Sequence, residues 1–170
     1  MPHDKPPRAT VSVGPLIVID IVLILAVLIV AGASFSKVPP EAVAEASAPE
    51  RPIPLFTYFG AGYAAFVLAM IAILPPLIDA GIRRLAAGKI APNERIRTLW
   101  RGYVVRHLLV MMVLQGAAMI NAFAYWIESQ LISLPATGIM LVLMALQIPS
   151  QDRVTRWIEA QERTIQNTTV

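Results

Sequence analysis

A chain of 170 residues has the size of one soluble domain, but 56% apolar and only 15% charged residues argue against one, since soluble domains carry about 25% charge. The charges avoid long apolar runs of membrane-spanning length, which predicts an all-α integral membrane protein. Cysteine is absent, which excludes disulfides, thiolate metal sites and cysteine nucleophiles.

The N-terminal arm, residues 1–14, carries Lys5 and Arg8. The first apolar run follows, Pro15 to Ala33, interrupted only by Asp20. A helix of about 20 apolar residues crosses a hydrocarbon core of about 30 Å. Read instead as a signal peptide, with Ala31-Gly32-Ala33 as the cleavage site, the run exceeds the usual apolar stretch of about 7–15 residues and contains an acid. Ser34 to Pro54 is rich in proline, alanine and glutamate, and reads as a semi-extended outer loop.

The second span, Leu55 to Leu74, has no charge and offers Gly60, Gly62 and Ala64 as a small-residue face, with Tyr58 and Tyr63 as aromatics of the membrane-interface belt. Pro75-Pro76 is expected to kink or end it. Beyond the prolines, Ile78, Ile82 and Leu85 share a helical face in the pattern of an interfacial segment. The inner loop, residues 79–103, is basic through Arg83, Arg84, Lys89, Arg95, Arg97 and Arg101, and is read as facing lipid. Gly88 closes its first piece and Pro92-Asn93 opens a long helix that runs on into the third span, with Trp100 and Tyr103 at headgroup level.

The third span, residues 104–127 with its apolar part from Leu108, contains Gln115 and Asn121; Arg106 and His107 lie at its start. Ionisable groups inside a span are functional hypotheses by default. Asp20 and Arg106 are expected to pair, since a buried carboxylate is costly alone. A proton relay through Asp20 and His107 is the functional alternative, and His107 by itself reads as an interfacial residue. Gln115, near mid-membrane and followed by Gly116-Ala117-Ala118, suits a helix–helix contact.

Glu128-Ser129-Gln130 leaves a short turn into the fourth span, residues 131–148. Leu134-Pro135-Ala136-Thr137-Gly138 matches the LPxTG pentapeptide cut by sortases, but no large exported domain precedes it. It reads as a helix start, with Ser133 as cap, Pro135 in the first turn, and Thr137 and Gly138 as small packing residues. Pro149 stops this span. In the tail, residues 149–170, Ser150 caps an amphipathic helix whose stripe is Val154, Trp157, Ile158, Gln161 and Ile165.

All but two of the fourteen lysines and arginines fall on one side of this four-span thread; the exceptions are Lys37 and Arg51. Basic residues mark the cytoplasmic side, so both termini are expected inside. The net charge of +3 is then a topology signal, and nucleic acid is not an expected partner. The expected partners are the lipid bilayer and other membrane subunits or a second copy of the chain.

The segment Val113 to Ile127, "VLQGAAMINAFAYWI", resembles the outer helix of rotary-ATPase proteolipid subunits. The ion-carrying carboxylate of that family is matched here by Gln115, which cannot exchange a proton, and the family's glycine repeat and polar loop motif are missing. The whole chain resembles small four-span bacterial inner-membrane proteins of unassigned function, with an amide or carboxylate in span three and a proline-then-arginine tail. That resemblance implies a place in the bacterial cytoplasmic membrane and nothing of activity. No phosphate loop, HExxH or GxSxG motif occurs, and the two histidines are His3 and His107. The expectation is a non-catalytic membrane subunit or scaffold without cofactor. The alternatives are a small transporter using Asp20, His107 and Gln115, or a sensor of anionic lipid using the basic loop.

Overall fold

A computed structural model describes residues 12–46, 53–88 and 91–168, and the described residues form helices and short connections only. The helices are α1 (Gly14–Lys37), α2 (Pro40–Ala46), α3 (Leu55–Ala87), α4 (Pro92–Glu128), α5 (Ser133–Gln147) and α6 (Gln151–Thr168). Lys5, Arg8, His3, Arg51 and Lys89 lie outside the described residues.

Three helices, α1, α3 and α4, are long and apolar enough to cross a membrane. The fourth expected span is different. α5 has 15 residues, about 22 Å at the helical rise, and reaches spanning length only together with α6, from which it is bent by 72°. Pro149 sits at that bend, where its ring prevents a continuous helix. The Ser150 hydroxyl then accepts the Arg153 backbone N–H at 3.3 Å, which is the expected cap of α6.

Three boundaries differ from the sequence expectation. Pro75 and Pro76 lie inside α3, which continues to Ala87. The two missing N–H groups cost ladder bonds, but the segment beyond them is held by burial of Ile82 and Ala86 against Leu99, Tyr103, Val154 and Ile158. Ile82 and Ala86 are therefore packed under α6, while Leu85, expected on the same face as Ile82, is exposed. The loop from Ser34 carries helix as well: α1 runs through Ala31-Gly32-Ala33 to Lys37, and α2 follows. Ser133 is already the first residue of α5 and makes no capping bond. Gly88 after α3 and Pro92 opening α4 stand where expected.

α4 is the hub, packed on α3, α5 and α1. α3 and α4 run antiparallel in contact along their length, from Glu128 against Phe56 and Thr57 to Asp79 against Arg106. One core lies mid-bundle, around Val27, Val67, Met111, Leu114, Met140 and Met144. The second joins Leu16 of α1 and the α3–α4 end to Val154, Ile158 and Ile165 of α6, so the amphipathic stripe of the tail covers the bundle end.

The outer surface is unlike that of a soluble protein. Only 17% of the apolar windows of α1 and α3 is buried, and Val18, Val22, Leu25 and Ile29 of α1 and Phe59, Phe66 and Ile73 of α3 are exposed. Soluble monomers expose apolar patches of no more than about 300–600 Å². This surface is compatible with lipid.

Candidate functional site

The polar side chains inside the bundle form two groups, one near each end. At the arginine-rich end, Asp20 sits one turn and a half into α1 and His107 lies on α4 two turns past Trp100. The Nε2 of His107 is 3.0 and 2.9 Å from the two carboxylate oxygens of Asp20. Both side chains are buried, Asp20 completely and His107 to within 5%. With both oxygens on one nitrogen, Nε2 carries the proton and donates, fixing the ring. His107 stacks on Tyr103 at 6.0 Å and 3°, and Tyr103 stacks on Trp100 at 6.0 Å and meets Trp157 of α6 at 5.4 Å.

The expected Asp20–Arg106 pair is not formed. Arg106 turns to Asp79 of α3, with Nε 3.4 Å from Oδ1, and its guanidinium lies over the Trp157 ring at 5.9 Å. Neither the Nε nor the Oδ1 makes a hydrogen bond, so the pair is a charge contact. The Trp157 indole N–H is 3.5 Å from the other Asp79 oxygen. Arg106 and His107 are consecutive, and about 100° of helical rotation separates their side chains. Only His107 faces α1. Its reading as an interfacial residue is thereby corrected.

At the other end, Glu128 accepts the backbone N–H groups of Phe56 at 2.8 Å and Thr57 at 2.7 Å. It is a distant N-cap: α3 begins after Pro54 with no capping side chain of its own, and a carboxylate at a helix N-terminus is also stabilised by the positive end of the helix dipole. Deeper, Asn121 donates to Gly60 O at 3.1 Å and to Ala117 O at 2.9 Å. The α3–α4 approach is close enough that a Cβ on Gly60 would meet Asn121 Oδ1 at 2.9 Å. Oδ1 itself is buried without a hydrogen bond. Thr57 and Ser133 hydroxyls are 3.4 Å apart, and Thr137 donates to Ser133 O at 3.0 Å. The LPATG stretch is therefore the first turn and a half of α5. Thr137 packs as expected, while Gly138 faces open space.

Gln115 joins neither group. It lies eight residues beyond His107, about 12 Å along α4, is half-buried, and its side chain makes no hydrogen bond among the described residues. Of the small residues near it, Gly60 and Ala64 pack inward, but Gly62 faces open space.

The basic residues of the loop do not share one environment. Arg83 donates to Gln161 of α6 at 3.0 Å and Arg95 is half-buried, while Arg84, Arg97 and Arg101 are exposed; Lys89 is outside the described residues. Sequence reading missed Asp79, Glu128, Thr57 and Tyr103 as participants. Glu128 had a signal: a lone acid at a turn opposite a helix that starts without a cap. No cluster of three or more metal-binding acids and histidines occurs among the described residues. Comparison of the chain with family models, with curated proteins and with solved structures finds no match.

Proposed function

We propose that the chain is a non-catalytic integral membrane protein, a small subunit or scaffold that associates through helix faces with a second copy or with a larger membrane complex. It is threaded with α1, α3 and α4 crossing the bilayer, the segment 131–148 that contains α5 returning the chain as the fourth and shortest crossing, and both termini in the cytoplasm, on the side of the arginines. The observation that carries the association is Gln115. A half-exposed amide without a partner, near the middle of the apolar part of the most central helix, is costly against hydrocarbon and is satisfied by a polar group on a neighbouring helix. The other intramembrane polar groups support this reading, because Asp20, His107, Asn121, Thr57, Ser133 and Glu128 are engaged in holding the bundle's own helices together. A photoreactive amino acid at Gln115, activated in intact membranes, tests the reading. It is expected to capture a polypeptide; capture of lipid alone would contradict it.

A second reading, proton movement, is favoured by one observation: the direct carboxylate–imidazole contact of Asp20 and His107. Such a pair can hold or release one proton. Gln115 does not extend it along a path, and the rings of Tyr103, Trp100 and Trp157 cover it on the arginine-rich side. The packing role is therefore preferred.

A further inference from the structure

At the end of the bundle remote from the arginines, α1 and α4 border a groove of about 160 Å³ lined by Ile29, Val30, Ala33, Ser34, Phe123, Trp126 and Lys37. Its walls are apolar and outward-facing: Ile29, Phe123 and Trp126 are exposed to 69%, 39% and 45%. The space is close to the roughly 150 Å³ that holds a benzene molecule in an apolar cavity. A helix, about 10 Å across, cannot enter it, and a segment of hydrocarbon chain can.

The cation in its lining selects the other end of the ligand. Lys37 is the last residue of α1 and is exposed. Its ammonium lies 5.3 Å over the Trp126 ring, a cation–π contact that holds it beside the groove. Among the described residues Lys37 makes no ion pair, so its charge is available to an anion. α1 ends at Lys37 and α4 ends at Glu128, so Lys37 and Trp126 stand where the spans meet the headgroup layer, the depth at which tryptophan rings and lysine side chains anchor.

We infer that this groove is a phospholipid site: one acyl chain lies between α1 and α4 against Phe123 and Trp126, and the phosphate of the same lipid pairs with Lys37. The occupant is an anionic glycerophospholipid, since a net negative headgroup leaves the phosphate free to meet the ammonium, whereas a zwitterionic one supplies its own cation. The site rests on the membrane reading but not on self-association, and uses neither the Asp20–His107 pair nor the polar residues of the α3–α4 seam.

Native mass spectrometry of the full-length protein in detergent, with phosphatidylglycerol, phosphatidylcholine or diacylglycerol added, tests it. The wild type is expected to retain phosphatidylglycerol in preference to the other two. Lys37→Ala should weaken that retention about fivefold, the factor that corresponds to one basic residue beside an anionic lipid surface. Ala33→Leu, which fills the groove without altering charge, should lower retention of all three lipids. Unchanged thermal unfolding of both variants shows that the bundle is intact. Equal retention by wild type and Lys37→Ala would overturn the phosphate contact. A change of oligomeric state in Ala33→Leu without loss of lipid would assign the groove to a second copy and overturn the inference. Carbonate extraction separates the two readings: release of the protein from membranes would instead remove the membrane placement itself.

Discussion

The Asp20 carboxylate and the His107 imidazole lie 2.9 Å apart in the interior, joining α1 to the central helix through a contact that neighbouring water does not reach. Breaking a buried pair by removing one partner costs about 3–5 kcal/mol, because the other charge is left uncompensated. His107→Ala should therefore lower stability strongly. Asp20→Asn, which keeps a polar group without the charge, should cost about 1–3 kcal/mol, the range for an imperfectly replaced buried hydrogen bond. The double variant Asp20→Asn/His107→Ala should lose less than the sum. Thermal unfolding in detergent checks the order, and a proton-flux assay in proteoliposomes checks the rival reading. Flux in the wild type that Asp20→Asn abolishes at normal stability would favour proton movement over packing.

The α3–α4 seam makes a sharper steric prediction. A Cβ on Gly102 would stand 2.6 Å from Ile82 Cγ2, and one on Gly60 2.9 Å from Asn121 Oδ1, whereas Gly62 has nothing within 4 Å. Gly102→Ala and Gly60→Ala should each destabilise by about 1–3 kcal/mol, the usual cost of overpacking. Gly62→Ala should stay within about 0.5 kcal/mol. Ile82→Val, which removes the Cδ1 methyl at a cost of only about 0.5–1.5 kcal/mol, should destabilise less in the Gly102→Ala background than in the wild type. Equal melting temperatures for Gly60→Ala and Gly62→Ala would contradict the seam.

Which of these features were legible in the sequence follows from their range. Apolar runs and turn residues act locally, so α1, the start of α4 after Ala91, the end of α3 at Gly88 and the stripe of α6 were all readable. Whether Pro75-Pro76 would end α3 or only interrupt it was not, because the packing that holds the segment beyond the prolines comes from Leu99 and Ile158, distant in the chain. The partner of Asp20 was not readable either. Arg106 and His107 share a depth, and choosing between them requires knowing which side of α4 faces α1. The cap of α3 by Glu128 spans 72 positions for Phe56, beyond any local pattern.

Topology is open to direct labelling. Ala44 in α2 and Arg97 in α4 are both exposed and lie on opposite sides of the proposed thread. In a chain with no native cysteine, Ala44→Cys should react with an impermeant maleimide in intact cells and Arg97→Cys only after permeabilisation. The reverse pattern would invert the thread, and labelling of both in intact cells would remove one crossing.

Association through a membrane-buried helix face is the central claim, and the mass of the native particle tests it most directly. Extracted from its own membranes in a mild detergent and examined by native mass spectrometry, the wild type should carry at least one further polypeptide beyond its own 18.5 kDa. Gln115→Leu should weaken that association by about 0.5–2 kcal/mol, the range for one intramembrane hydrogen bond, while leaving thermal unfolding of the single chain unchanged. A wild-type particle that is one chain with lipid alone, unaffected by Gln115→Leu, would contradict the account.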